Sequence, residues 1–259
     1  MSSGNSEIDN LIKRLSSLKI DVSGSSETDN IRNFLKKAHE ILQSYEDAIE
    51  EYGRALELNP NDPNYHNNKG NALINLQSYE DAIEEYDIAI ELDPNNPDYY
   101  NNKGIALRSL KSYEAAIDEY NKAIELDPNN PDYHYNKGDS LFGLMKYRKG
   151  MKEINKAIKL NPNNPEYHNR MGKGLNRIGL YEEAIKAYTM AIKLNPNNPV
   201  YHRNKGDLLT HSGSYEEAIN EYDRALELNP NDRDCHHNKG IALHHLKRYK
   251  AAIKEFEKG

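Results

Sequence analysis

Asparagine, histidine and basic side chains recur in this chain at a fixed spacing of 34 residues, and each type suits a different chemistry. Asn68, Asn102, Asn136, Asn204 and Asn238 form one column, broken once by Arg170. A side-chain amide both donates and accepts, so a row of them can hold the N–H and C=O groups of an extended peptide. The plainer alternative is a polar, solvated helix surface. Arg170, Lys173, Arg177 and Arg203 stand in the same stretch and would favour an acidic ligand. His66, His134, His168, His202 and His236 form a second column. Packed helices lie about 10 Å apart, whereas zinc ligands converge at ~2 Å from one ion, so this column reads as packing. Cys235, His236, His237, His244 and His245 crowd more closely. Yet His237 and His244 are two helical turns apart, roughly 10 Å along the axis. No metal site and no cofactor are expected. The chain lacks a phosphate loop, a nucleophile elbow and a dinucleotide fingerprint, so no catalytic residue is expected either.

These residues must be positioned by a repeated element. We count its positions from Pro63 as 1 to Asn96 as 34. The last Asn of one unit precedes the first Pro of the next, as in Asn96–Pro97, Asn130–Pro131, Asn164–Pro165 and Asn198–Pro199. Asn caps a helix and Pro suits its first turn, so a helix A starts there. Leu73 and Leu76 give it an apolar face, and a break falls near Gln77–Ser78. A helix B follows through Tyr79, Ala82, Ile83, Tyr86, Ala89 and Ile90, and Pro94 stops it. Gly recurs at position 8 (Gly70, Gly104, Gly138, Gly172, Gly206, Gly240). A helical Gly costs about 1 kcal/mol relative to Ala, so the sequence predicts a close approach of A and B there. Tyr at position 24 would supply bulk between hairpins. Repeat four departs from the pattern with Gly150 and Ile154 at positions 20 and 24, which predicts looser packing.

The period, the small residues at positions 8 and 20, the aromatic at 24, Ala at 27 and Pro at 32 resemble the tetratricopeptide repeat, TPR. The resemblance covers about seven tandem repeats. It departs at position 4, His in place of the usual Trp, and at position 7, mostly Lys in place of Leu. It implies an all-α fold, a right-handed α-α superhelix. The expected organisation is an N-terminal amphipathic segment and linker (1–28) and a TPR array (29–259). The repeats would be 29–62, 63–96, 97–130, 131–164, 165–198, 199–232 and an incomplete 233–259. It also implies that A helices line a concave, peptide-binding groove through positions 2, 5, 6, 9, 12 and 13. The asparagine column is similar to that of the TPR arm of O-linked N-acetylglucosamine transferases. The carboxylate clamp known for chaperone C-termini is not expected, because Asp132 and Asn136 stand where its bases belong.

Charge varies along the array. Repeat two has one Lys against seven carboxylates, whereas repeat four has seven bases against three. The net charge of -7 argues against nucleic acid as a partner. No apolar run is long enough to span a membrane, and one cysteine excludes an internal disulfide. A soluble, cytoplasmic scaffold binding a protein or peptide is therefore expected. Ile8, Leu11, Ile12, Leu15 and Leu18 form a short amphipathic pattern, read as a helix loosely packed on the first repeat or as a tethered groove ligand. The array stops without a polar cap. That motivates two further readings: a substrate-recognition arm of a larger enzyme of the glycosyltransferase or phosphatase type, and a homodimer through the uncapped C-terminal repeat.

Overall fold

The computed structural model describes residues 43–259; the N-terminal amphipathic segment lies outside them. Among the described residues there are thirteen helices and no strand. The first, α1, is helical from 43 to 58. Then come α2 (Pro63–Asn75), α3 (Tyr79–Leu92), α4 (Pro97–Ser109), α5 (Tyr113–Leu126), α6 (Pro131–Gly143), α7 (Tyr147–Leu160) and α8 (Pro165–Arg177). They are followed by α9 (Tyr181–Leu194), α10 (Pro199–His211), α11 (Tyr215–Leu228), α12 (Arg233–His245) and α13 (Tyr249–Phe256). From α2 on, even-numbered helices are the A helices and odd-numbered ones the B helices. The chain forms two compact units that divide between Ala106 and Leu107. In the second unit, successive A helices (α6, α8, α10, α12) touch one another, whereas no contact joins one B helix to the next. The A helices are therefore the inner row of that unit.

Short-range chemistry sets the helix ends. Asn96, Asn130, Asn164 and Asn198 each accept the N–H two residues on at 3.0 Å, and Asp62 does the same at 2.9 Å. Each A-to-B turn needs a left-handed residue at position 15. Gly179 and Gly213 supply it without strain, whereas Gln77, Lys111, Met145 and Lys247 adopt φ near 60°.

At Gly70, Gly172, Gly206 and Gly240 the position 8 glycine makes room for a ring, whereas Gly138 makes room for Ile154 and lies close to the Gly150 carbonyl. A Cβ on Gly70 would lie 2.6 Å from the Tyr86 ring, and on Gly172 or Gly206 it would lie 2.7 Å from Tyr188 or Tyr222. The position 24 tyrosine thus fills a notch in its own hairpin, which corrects the expectation of bulk only between hairpins. Ala82 and Ala89, with the alanines at the same positions in the later repeats, are buried beside it.

Repeat four is not loose. Its Phe142 turns inward at position 12, and a Cβ on Gly150 would strike that ring and come within 2.7 Å of the Gly138 carbonyl oxygen. In the next repeat, a Cβ on Gly174 would sit 2.5 Å from Phe142 Cζ. One aromatic side chain therefore requires two glycines, and the volumes compensate.

The departures at positions 4 and 7 belong to one polar unit. His66, His134, His202 and His236 place Nε2 3.2, 3.1, 3.0 and 2.9 Å from the carbonyls of Pro60, Pro128, Pro196 and Pro230. Their Nδ1 atoms meet Glu85, Glu153, Glu221 and Glu255 at 2.7, 2.9, 2.7 and 2.6 Å. Lys69, Lys137, Lys205 and Lys239 pair with the same carboxylates. The histidines are therefore hydrogen-bonded ties between repeats, not apolar stand-ins for Trp. Repeat five loses both charges together, with Met171 and Ala187 in place of Lys and Glu. His168 keeps only its Pro162 carbonyl at 2.8 Å, so no buried charge is orphaned.

Burial alone would raise the Glu153 carboxyl, but the His134 hydrogen bond and the charges of Lys137 and Lys156 outweigh it and hold it at about 2. A carboxyl held below its ordinary value stabilises the fold above that value, and the gain fades as pH falls through the folded pKa. Glu153→Gln should therefore cost on the order of 2 kcal/mol at pH 7 and flatten the stability loss between pH ~4.5 and ~2. Urea unfolding across that range is the check; an unchanged pH slope would refute it. The Phe142 seat gives a second expectation. Gly174→Ala should cost roughly 1–3 kcal/mol by overpacking, and less than half of that in a Phe142→Leu background. Additive costs in a double-mutant cycle would show that the two residues are not coupled.

Candidate functional site

The A helices of each unit carry the side chains singled out by spacing. In the first unit Asn102 Nδ2 donates to Asn67 Oδ1 at 2.9 Å, while Asn102 Oδ1 accepts from Asn101 at 3.4 Å. Asn68 Oδ1 accepts from Asn67 at 3.4 Å. In the second unit Asn204 donates to Asn169 at 2.8 Å and Asn238 donates to Asp207 at 2.9 Å. Asn136 is buried. The amides of Asn102, Asn204 and Asn238 therefore reach back to the preceding repeat and help hold the stack. An amide has two N–H groups and two lone pairs, so Asn102 retains one of each.

Arg170 stands where the other position 6 residues are Asn, and it too meets the preceding repeat. Asp139, at position 9 of repeat four, pairs with Arg170 on one side and with Arg108 at 2.7 Å on the other. The Arg170 guanidinium also lies over the Phe142 ring, 5.0 Å from its centroid. Lys173 and Arg177 follow on the same face of α8, one and two turns on. Together with Phe142, Gly143, Tyr147 and Gly174 these three bases line a pocket of about 410 Å³. Gly143 is required there, since its Cβ would lie 2.6 Å from the Tyr113 ring. Arg203 does not join this pocket; it pairs with Asp232 at 2.6 Å.

Spacing alone missed Phe142, Gly143, Tyr147 and Gly174 as members of the site. The signal available for them was the cluster of departures from the repeat at Phe142, Gly150 and Gly174. Tyr147 carried no such signal, because Tyr is usual at its position.

Cys235 is buried, its Sγ 3.6 Å from the Tyr222 carbonyl, and burial pushes its thiol up to about 12. His236 is committed to Glu255 and Pro230, and His245 stacks on Tyr215 with centroids 4.5 Å apart. Among the described residues no three His, Cys, Asp or Glu side chains are grouped to hold a metal ion. No helix there is long and apolar enough to cross a membrane.

Comparison with known proteins agrees with this architecture. A family model described as TPR repeat matches residues 41–77, 70–108, 104–144 and 206–247. Models described as tetratricopeptide repeat match 131–164, 165–198 and 187–220. No curated protein matches. Among solved structures the chain is similar to YrrB, described as a TPR protein with an unusual peptide-binding site. The identity is 26%, over 77% of this chain and 99% of that one, with a TM-score of 0.57. It shares its fold with PilF of Pseudomonas aeruginosa (18% identity, 82% and 90% coverage, TM-score 0.65). It also shares it with yeast Tom70 (21% identity, 84% and 48% coverage, TM-score 0.64). Repeat length, capped hairpins, the Gly–Tyr notch and the matches along the chain agree: this protein belongs to the tetratricopeptide repeat family.

Proposed function

We propose that this chain is a non-enzymatic scaffold that binds an extended peptide, or an extended segment of a partner protein, along its A helices. The observation that carries this reading is the inner row itself, where amides recur at the repeat spacing with hydrogen-bonding capacity left over. Within each unit the column grips peptide backbone, through Asn68 and Asn102 in the first and Asn136, Asn204 and Asn238 in the second. Arg170, Lys173 and Arg177 favour acidic side chains, and Arg203 contributes at the edge of that field. The peptide-binding site named for YrrB supports the assignment, since that protein is matched over nearly its whole length. The chain's net charge of -7 disfavours nucleic acid, and a single buried thiol suits a cytoplasmic setting.

A second reading, self-association, is favoured by α13. Its outer face leaves Tyr249 53% and Ile253 58% exposed, more apolar surface than the other B helices of the second unit show. Docking of that face on a second copy would cover it. Light scattering over a concentration series tests this, and a constant monomer mass would refute it.

For the groove, peptides selected from a random library on the intact chain should be rich in Asp and Glu. The Asn68→Ala, Asn102→Ala, Asn136→Ala triple variant should weaken them about tenfold or more in fluorescence anisotropy. It should also lose about 1 kcal/mol of stability per inter-repeat bond removed, so binding is compared at a temperature where both proteins are folded. Selected peptides that bind the triple variant unchanged would place the ligand elsewhere.

A further inference from the structure

The basic pocket of the second unit differs from the rest of the inner row in charge, shape and lining. In that unit Arg108, Lys137, Arg170, Arg203, Lys205 and Lys239 each hold a carboxylate partner. Lys173 and Arg177, which face the pocket, have no carboxylate within ion-pair distance among the described residues. Arg170 is anchored by Asp139 and by the Phe142 ring, yet its buried Nε has no hydrogen-bond partner. The lining is also aromatic, with Phe142 and Tyr147 rings 5.8 Å apart between centroids. Two glycines, Gly143 and Gly174, complete the lining.

A single carboxylate fits this setting poorly. It carries one charge against two uncompensated cations, and it is small beside about 410 Å³. A phosphate monoester carries about -1.5 to -2 at pH 7 and three strong acceptor oxygens. Arg binds such groups through paired N–H donors, and Lys binds them as a point charge. An aromatic or apolar body attached to the ester would occupy the Phe142–Tyr147 side.

We propose that the pocket formed by Phe142, Tyr147, Arg170, Lys173 and Arg177 is a receptor for an aryl-type phosphate monoester, in peptide form a phosphorylated tyrosine side chain. In that peptide form the proposal rests on the groove reading above. Lys173 and Arg177 take the phosphoryl oxygens, Arg170 closes one side, and Tyr147 packs on the aromatic body.

Phenyl phosphate is the first probe, titrated into the full chain by isothermal calorimetry and followed at the Gly143 and Gly174 amides by NMR. It should saturate, with both amides shifting. Benzoate and inorganic phosphate should each bind about tenfold more weakly, one lacking the dianion and the other the ring. The Lys173→Gln/Arg177→Gln variant changes side chains that lie outside the buried core and should abolish saturation while the circular dichroism spectrum stays unchanged. Equal affinity for benzoate would overturn the phosphate assignment, and equal affinity for inorganic phosphate would overturn the aryl assignment. Binding that survives the double variant would overturn the site. A short phosphotyrosine peptide is then compared with the same peptide unphosphorylated. Tighter binding than phenyl phosphate supports a peptide source, and weaker binding supports a free small-molecule ester. The alanine triple variant of the asparagine column separates the two proposals: phenyl phosphate should bind it normally even if the peptide groove fails.

Discussion

Seating a large side chain in the notch left by a helical glycine is the constraint on which the hairpins depend: a tyrosine ring at Gly70, Gly172 and Gly206, Ile154 at Gly138 and Phe256 at Gly240. Gly costs helix stability where it stands, and Tyr brings a phenol that must stay satisfied when buried. The hairpin offsets both through the area the ring buries. It also places the Tyr86 and Tyr222 hydroxyls on Asn71 and Asp207 of their own A helices, at 2.8 and 2.9 Å. Position 9 is thereby tied to the ring on one side and to the next repeat on the other, since Asp207 also receives Asn238. Packing inside the hairpin and hydrogen bonding between hairpins meet at one residue. Desolvation accordingly raises the Tyr222 hydroxyl and the Asp207 carboxyl above their usual values.

Cohesion between repeats is unusually polar. Histidine bridges a proline carbonyl and a glutamate, lysine balances that glutamate, and position 3 tyrosines such as Tyr201 donate to the preceding repeat, here Glu166 at 3.3 Å. Such a network is stable only when every member is satisfied. Repeat five illustrates the rule by losing lysine and glutamate together. The pocket follows the opposite logic. There the bases Lys173 and Arg177 are left without carboxylates, and Phe142 is accommodated by removing side chains at Gly150 and Gly174. A row of A helices whose other bases are paired with carboxylates carries local excess charge at that place.

Much of this was legible in the residues. Asn130 and Pro131 announce a capped helix because an Asn oxygen can take an orphan N–H and Pro needs none. The glycine column announces a steric demand, but periodicity reveals that space is required and not what fills it: a ring at Gly70, Gly172, Gly206 and Gly240, and Ile154 with the backbone of the facing helix at Gly138. His66 and Lys69 read as departures from the family because their partner, Glu85, lies on the other helix of the hairpin. Pairing across helices leaves no local trace.

The sequence by itself determined the period, the helix ends, the small and large positions of each hairpin and hence the family, because these depend on contacts within about one repeat. Only the tertiary structure decided what the exposed-looking columns do. It showed the asparagine amides spending part of their capacity on the neighbouring repeat. It separated Arg203, neutralised by Asp232, from Lys173 and Arg177, which are not neutralised. It gathered Phe142, Gly143, Tyr147 and Gly174 around those bases. The physical reason is that a residue's free charge and open volume are differences between it and its neighbours in space, and spacing along the chain records only one side of that difference.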